Sequence, residues 1–355
     1  MSIRLSIIMP VYNCEQYLEA ALRSVLSQSV TDLEIIAVDD CSNDASCQIL
    51  QRVAQEDPRL RILQNEQNVG VAAVRNRALE QARGEYVAFC DADDTVPEGA
   101  YEALLSAIGE CDVAIGGFED LLYTDDTERE RTACPVGAAC RDSVFLSLFS
   151  VPCLWTKLFR TSFLKDNALR FDDDMTIGED VVFLARAAAL SPEYAVTDAS
   201  VYRHIRRQSS RHRSLTRTFD LASFQKHVEC RQRLLEICGS DPHCTEFVYL
   251  QFAWDLNTYL CQISDPKERE AAFALFQQFM CAYPYENTAA LFLAKTGVPY
   301  SDFCKMSADE YFEYRNSVLP REQVANEFLA GTIGLRWIWI YLKGWLKFKL
   351  SRRNP

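Results

Sequence analysis

Asp91, Asp93 and Asp94 stand at the end of the apolar run Tyr86-Val87-Ala88-Phe89-Cys90, three carboxylates within four positions. Carboxylate oxygens are hard ligands suited to magnesium or manganese, and such ions in turn suit the oxygens of a diphosphate. A metal and a diphosphate at one strand end imply group transfer. A strand running into a solvated Asp-rich turn would leave the same local trace, so the triplet decides nothing until other polar segments are placed beside it.

The elements that must position these residues alternate strand and helix over the first ~118 residues, the pattern of a parallel sheet covered by helices. Strands are predicted at Leu5 to Met9, Leu33 to Val38, Leu60 to Leu63, Tyr86 to Cys90 and Asp112 to Gly117. Helices are predicted from about Glu15 to Gln28, from the Ser42-Asn43-Asp44 turn to Gln55, from Asn68-Val69-Gly70 to Ala82, and after Pro97 to Ile108. Gly84 reads as the C-cap glycine of the third helix. In open sheets of this kind ligands bind beyond the carboxyl ends of the strands, and Asn13, Asp39, Asp40 and Asp91 to Asp94 all fall there. Leu121 to Cys140 is polar and irregular, read as a loop or small lobe over that rim. Beyond Phe219 apolar residues recur at helical spacing, which predicts a helical domain.

With 355 residues and 48% of them apolar, the chain is long enough for two domains and a substantial core. A net charge of −13 excludes general electrostatic binding to nucleic acid. The fourteen cysteines are scattered without a C-x-x-C, which reads as reduced cytosolic thiols and not as a zinc site. No G-x-G-x-x-G or P-loop follows the first strand, where Pro10-Val11-Tyr12-Asn13 stands instead. A nucleotide on this sheet would therefore be held by side chains and a metal. That also counts against a sugar nucleotidyltransferase, which would need a Gly-rich loop there. Residues 333 to 350 are basic and Trp-rich, too short and charged to span a bilayer. They suit an amphipathic helix in the interface of an anionic membrane, or a terminal helix docked on the helical domain.

The ordered segments Ser6-Ile-Ile-Met-Pro-Val-Tyr-Asn13, Val38-Asp-Asp-Cys-Ser-Asn-Asp44, Asn68-Val-Gly-Val-Ala-Ala-Val-Arg-Asn76 and Gly84-Glu-Tyr-Val-Ala-Phe-Cys-Asp-Ala-Asp-Asp94 closely resemble the family 2 glycosyltransferases. So do Trp155-Thr-Lys-Leu-Phe-Arg160, Gly178-Glu-Asp-Val-Val-Phe183 and Tyr202-Arg-His-Ile-Arg-Arg-Gln-Ser209. The resemblance, over about residues 4 to 215, implies an α/β GT-A fold: a Rossmann-like, mostly parallel sheet with helices on both faces, followed by a helical C-terminal domain. The expected organisation is 1–215 catalytic, 216–330 helical (acceptor groove or homo-oligomer interface) and 331–355 membrane-associating.

By the same resemblance the enzyme inverts at the anomeric carbon. The donor is a nucleotide sugar, a UDP-sugar in most relatives. Pro10, Tyr12 and Asp40 frame the base, Asp40 accepting from its ring N–H, with Asp39 as cap or ribose neighbour. Arg75 faces the base or the diphosphate, while Arg77 reads as a solvated helix residue. Asp91-Ala92-Asp93 is the D-x-D equivalent, with Asp93 on Mn2+ or Mg2+ and Asp91 on metal or ribose. His204 stands as a third metal ligand where the family more often has an aromatic residue, and Arg206, Arg207 and Ser209 close over the diphosphate. Asp180 is the candidate general base and Glu179 orients the acceptor or sugar hydroxyls; an acidic helix N-terminus would account for the same pair. Trp155 and Lys157 resemble a motif near the acceptor cleft. The implied acceptor is a glycan or lipid-linked glycan of a bacterial surface polysaccharide, lipopolysaccharide or capsule, reached from the inner face of the cytoplasmic membrane. A non-catalytic nucleotide-sugar or glycan-binding protein of the same fold is the alternative.

Overall fold

The computed structural model describes residues 3–124, 127–136, 153–190, 192–208, 219–239, 262–282 and 303–312, with residues 245, 248, 249, 259 and 260. The chain divides into two compact units, 1–214 and 215–355. The first contains β1 (Leu5–Val11), α1 (Leu18–Leu26), β2 (Leu33–Asp39), α2 (Ser46–Glu56), β3 (Leu60–Gln64), α3 (Val71–Gln81), β4 (Tyr86–Phe89) and α4 (Ala100–Ile108). After these come β5 (Val113–Thr124), β6 (Thr127–Cys134), β7 (Lys157–Arg160), α5 (Thr161–Asp166), α6 (Glu179–Ala189) and β8 (Tyr194–Gln208).

The strands form one sheet in the order β3-β2-β1-β4-β7-β5-β6, with β8 beside β5. β1 pairs in parallel with β2 and β4, and β2 with β3. β7 is antiparallel to both β4 and β5, and β8 runs parallel to β5. Successive side chains of a strand point to opposite faces, and both faces here are covered. Leu5, Ile7, Met9 and Val11 of β1 enter one core layer with Leu22 of α1, Leu50 of α2 and Leu104 of α4. Ile8 enters the other with Val74 of α3, Phe163 of α5 and Phe183 of α6. Two-sided burial explains why these strands read as continuous apolar runs. The chain steps from β1 outward to β2 and β3, then returns across β1 to β4. The reversal opens a crevice at the carboxyl ends of β1 and β4, where ligands bind in such sheets.

Two expectations change. The segment from Leu121 onward is not a loop: β5 continues to Thr124 and β6 folds back on it antiparallel. Residues 127 to 133 of β6 are all exposed, so no apolar period marks the strand, and Arg131 ties it to Glu119 of β5 at 3.2 Å. Gly84 is not a left-handed C-cap either. α3 ends at Gln81, and a Cβ on Gly84 would stand 2.6 Å from Ser6 N and 2.8 Å from Tyr86 O. Its N–H donates to Ser6 Oγ at 2.9 Å, so the glycine lets the chain pass against β1. Gly84→Ala is expected to cost about 3 kcal/mol through overpacking against backbone, read as a Tm lower by roughly 6–12 °C.

In the second unit, α7 (Leu221–Cys238) is capped by Asp220, whose side chain accepts from Ser223 N at 2.7 Å, and α8 (Pro266–Ala282) follows. Phe273 and Phe276 of α8 pack with Phe303, and Phe273 also with Tyr311. Cys238 is disulfide-bonded, which departs from the expectation of thiols throughout. No described helix is long and apolar enough to cross a membrane. The basic stretch 333–350, Ser209 and the apolar run 289–294 lie outside the described residues.

Candidate active site

At the crevice the loops after β1 and β2 are laced together. Asn13 N donates to Ser42 Oγ (3.0 Å) and Asn43 N to Asn13 Oδ1 (2.8 Å). Glu15 N donates to Asp44 Oδ2 (3.0 Å) and Ala45 N to Glu15 Oε2 (2.8 Å). Asn13 and Cys41 both adopt left-handed backbone, at φ 48° and 62°, a conformation that only such surrounding bonds sustain in residues with a Cβ. The lacing presents Tyr12, 46% exposed, beside partly buried Pro10.

Behind it Asp40 is buried and heavily committed. Its carboxylate accepts from Asn65 Nδ2 (2.7 Å), Val69 N (3.0 Å) and Gly70 N (2.9 Å). These bonds brace the turn that enters α3, where Gly70 takes φ 88°. Arg77 joins the same brace by donating to Gln64 O (2.8 Å) and to Asn65 Oδ1, so it is a strut and not the solvated residue expected.

The acidic turn after β4 is held by β8. Asp91 N donates to Tyr202 Oη at 3.0 Å, Ile205 N to Asp94 Oδ1 at 2.7 Å, and Thr95 and Arg203 exchange backbone bonds at 2.9 and 3.3 Å. Asp94 is buried, and burial with the charges of Asp93 and Asp91 pushes its carboxyl well above the usual range. Asp93 projects to the exposed side of the turn. Desolvation by the surrounding protein, then the charge of Asp91, raises its titration point, and Arg207 and His204 draw it partly back. The Arg207 guanidinium lies 3.7 Å over the Tyr17 ring. Arg206 is instead bound through both oxygens of Asp120, at 2.9 and 2.6 Å, and His204 Nδ1 sits 3.1 Å from the same carboxylate. Trp155 stacks on Tyr202 (4.2 Å) and His204 (5.7 Å), a flat aromatic shelf beside the turn.

The remaining carboxylates arrive on α6. Gly178 (φ 76°) precedes it, and Glu179 and Asp180 occupy its first turn. Arg75 of α3 is buried and donates to Glu179 Oε1 at 2.7 Å and to Asp91 Oδ1 at 3.1 Å. Asn76 next to it exchanges bonds with Phe171 O (2.8 Å) and Phe171 N (2.9 Å) and donates to Asp173 Oδ1 (2.6 Å), anchoring the segment that leads to α6. Asp180 is partly buried; burial first, then the neighbouring Glu179, pushes its pKa up to about 7, with Arg75 opposing. A carboxyl poised near neutrality suits a proton acceptor.

The chain matches the family "Glycosyl transferase family 2" over residues 6–145. Those residues form a family 2 glycosyl transferase domain. EpsH of Bacillus subtilis is 34% identical over 210 residues, 56% of this chain and 60% of EpsH. Glycosyltransferase GlyA of Streptococcus pneumoniae is 30% identical over 226 residues, 58% of this chain and 31% of GlyA. The chain thus spans 60% or less of the length of these curated relatives. The crystal structure of TarS 1–349 from S. aureus in complex with UDP-GlcNAc superposes with a TM-score of 0.65 at 23% identity, covering 92% of each chain. The first unit has the GT-A fold, and the elements described in the second unit are helices.

Within the family 2 domain and the strands that complete its sheet, the structure brings Asp91, Arg75, Glu179 and Asp180 into one linked group and sets Asp93 beside Arg207 and His204. The Ala92 methyl is buried in the core, so any contact it makes outward is through backbone. Lys157 is fully buried with its ammonium on Cys153 O and Thr156 Oγ1, bracing the turn that carries Trp155. The sequence assigns no role to Asp120, Tyr202 or Asn76; Asp120 orients His204 and Arg206, Tyr202 holds Asp91 N, and Asn76 anchors the segment that leads to α6. Among the described residues no three His, Cys, Asp or Glu side chains stand preassembled around a cation position. By chemistry Asp91 and Asp93 fit a hard divalent ion, and a cation there would offset the desolvation and the neighbouring Asp91 charge that raise the titration of Asp93. Asp120 on His204 Nδ1 is the carboxylate partner that a ligating histidine usually has, and with Nδ1–H donating to it the Nε2 lone pair would be left to face a cation.

Proposed function

We propose that the chain is an inverting glycosyltransferase that moves a sugar from a UDP-sugar to a hydroxyl of a glycan or lipid-linked glycan in bacterial surface-polysaccharide assembly. One observation carries this reading: the Arg75 guanidinium joins Asp91 after β4 to Glu179 on α6, assembling the acidic turn and the Glu179–Asp180 pair in a single site. The relatives named as glycosyltransferases and the UDP-GlcNAc bound to TarS support the reaction class and the donor.

Tyr12 and Pro10 flank the base, while Asp40 shapes the base pocket chiefly by bracing the turn at Val69 and Gly70. The diphosphate lies toward Asp91, Asp93 and Arg207. Asp180 takes the proton of the acceptor hydroxyl. The resulting oxygen attacks the anomeric carbon opposite the diphosphate, whose bond to that carbon breaks, and configuration inverts. Glu179, held by Arg75, orients the sugar or acceptor hydroxyls. A divalent ion held by Asp91 and Asp93, with His204 as the candidate third ligand, would stabilise charge on the departing nucleoside diphosphate. Residues 333–350 are proposed to bring the enzyme to the inner membrane surface, and the helical unit to shape the acceptor groove or an oligomer contact.

The deciding experiment is a thermal-shift screen of nucleotide sugars with and without Mn2+. A UDP-sugar at a hundredfold excess over its Kd is expected to stabilise the protein by about 2.7 kcal/mol, with the shift reduced when Mn2+ is withheld. A flat response to every nucleotide sugar in both conditions would remove the proposal.

A further inference from the structure

Arg75 was expected to face the donor, yet its environment describes another task. Its side chain is only 8% exposed, and the two partners it holds come from elements far apart in sequence, Asp91 from the turn after β4 and Glu179 from α6. The guanidinium carbon lies 5.5 Å from the centre of the Phe171 ring. That ring stacks on Phe183 of α6 at 4.2 Å and meets Phe89 of β4 edge-on at 5.8 Å. The arginine is thus wedged by an aromatic residue that packs against both elements whose carboxylates it binds. Asn76 grips residues 171 and 173 with three hydrogen bonds from the same turn of α3. The two ion pairs lie in a largely desolvated place, where removing either carboxylate partner would leave a strongly disfavoured charge.

We propose that Arg75 is a positioning residue: one buried guanidinium fixes the spacing between the acidic turn and the Glu179–Asp180 pair, so that the donor-binding and proton-accepting halves of the site move as one body. The inference rests on the reading of the chain as a glycosyltransferase and gives Arg75 a role in it other than donor contact. A planar fork can serve two carboxylates in fixed directions where an ammonium cannot. Loss of the fork would let the halves drift, and a misplacement of about 1 Å is enough for a ~100-fold loss of rate. It would also leave Asp180 facing Glu179, Asp91 and the Cys153 thiol with no counter-charge from Arg75.

The test uses the full chain carrying Arg75→Ala, Arg75→Lys or Glu179→Gln, the last removing one partner at nearly constant volume should the arginine variants fold poorly. UDP affinity is measured by calorimetry without metal, and turnover is followed as a function of pH. Expected for all three is UDP affinity within about 3-fold of wild type and kcat lower by ~100-fold. In Arg75→Ala the acid limb of the pH profile should move above its wild-type position, further than in Arg75→Lys, which keeps the charge but not the fork, and millimolar guanidinium should restore part of the rate to Arg75→Ala but not to Arg75→Lys. UDP affinity falling in step with kcat/KM, with the acid limb unmoved, would make Arg75 a direct donor ligand and overturn the inference. Should wild type bind UDP yet turn over no nucleotide sugar, the proposed function falls. Arg75 is then judged on affinity alone: binding preserved in Arg75→Ala supports positioning, and binding lost refutes it.

Discussion

Asp180→Asn lowers kcat by roughly 10³-fold while UDP affinity stays at its wild-type value: that is the expected result, since general-base assistance contributes about 10²–10⁴-fold. The sign of the accompanying pH effect follows from the direction of the shift. Burial and Glu179 raise the Asp180 pKa to about 7, so the carboxylate that accepts the proton predominates only above that pH. In wild type, kcat/KM should therefore climb with pH through a midpoint near 7 with unit slope, a limb that belongs to the free enzyme. In Asp180→Asn the limb disappears, because the amide neither titrates nor accepts the proton. A variant retaining full rate, or retaining the limb, would move the base elsewhere and leave Asp180 as an acidic helix start.

The prominence of that helix start also shows what could be read from residue order. β1, β2 and β4 were legible because strands buried on both faces are largely apolar, and the polar residues that end them line the crevice. The partners that orient the site were harder to see. Asp120 holds both His204 and Arg206, but it stands in a stretch whose hairpin partner β6 is exposed from residue 127 to 133 and has no apolar face to betray it. A strand of this kind is defined by its backbone ladder, and side-chain pattern carries no trace of that. Asp40 illustrates a second limit. By sequence Asp40 reads as the base contact and Asp39 as the cap, whereas three bonds to Asn65, Val69 and Gly70 make Asp40 a brace for the turn into α3. Arg206 and Arg207 are adjacent, and strand alternation sends them to opposite faces. One is spent on Asp120, and the other lies over the Tyr17 ring and acts on Asp93.

The neighbouring pair Asp93 and Asp94 gives the other large effect, because the structure assigns them opposite duties. Asp94 is buried, with its pKa pushed well above the carboxylate range and one oxygen accepting from Ile205 N. Asparagine keeps that acceptor and has no charge to desolvate, so Asp94→Asn should leave kcat/KM within a few-fold of wild type and Tm little changed. Asp93 has no such internal duty among its hydrogen bonds in the described residues, and its charge is crowded by Asp91. Asp93→Asn should therefore cost ~10²–10³-fold in kcat/KM, the scale of losing one electrostatic contact to developing charge. It should also abolish the extra thermal shift that Mn2+ gives with a UDP-sugar, while the shift given by UDP alone remains. Because the Asp93 pKa is raised, its proton competes with a cation at higher pH than an ordinary aspartate would allow. Apparent Mn2+ affinity in wild type should accordingly weaken as pH falls, beginning above the usual aspartate range, and this dependence should be flatter in Asp93→Asn. Calorimetric titration of Mn2+ into the UDP complex at several pH values reads it directly. Equal losses in Asp93→Asn and Asp94→Asn would mean that the turn acts through its fold, since only the exposed carboxylate has an oxygen to give to a ligand.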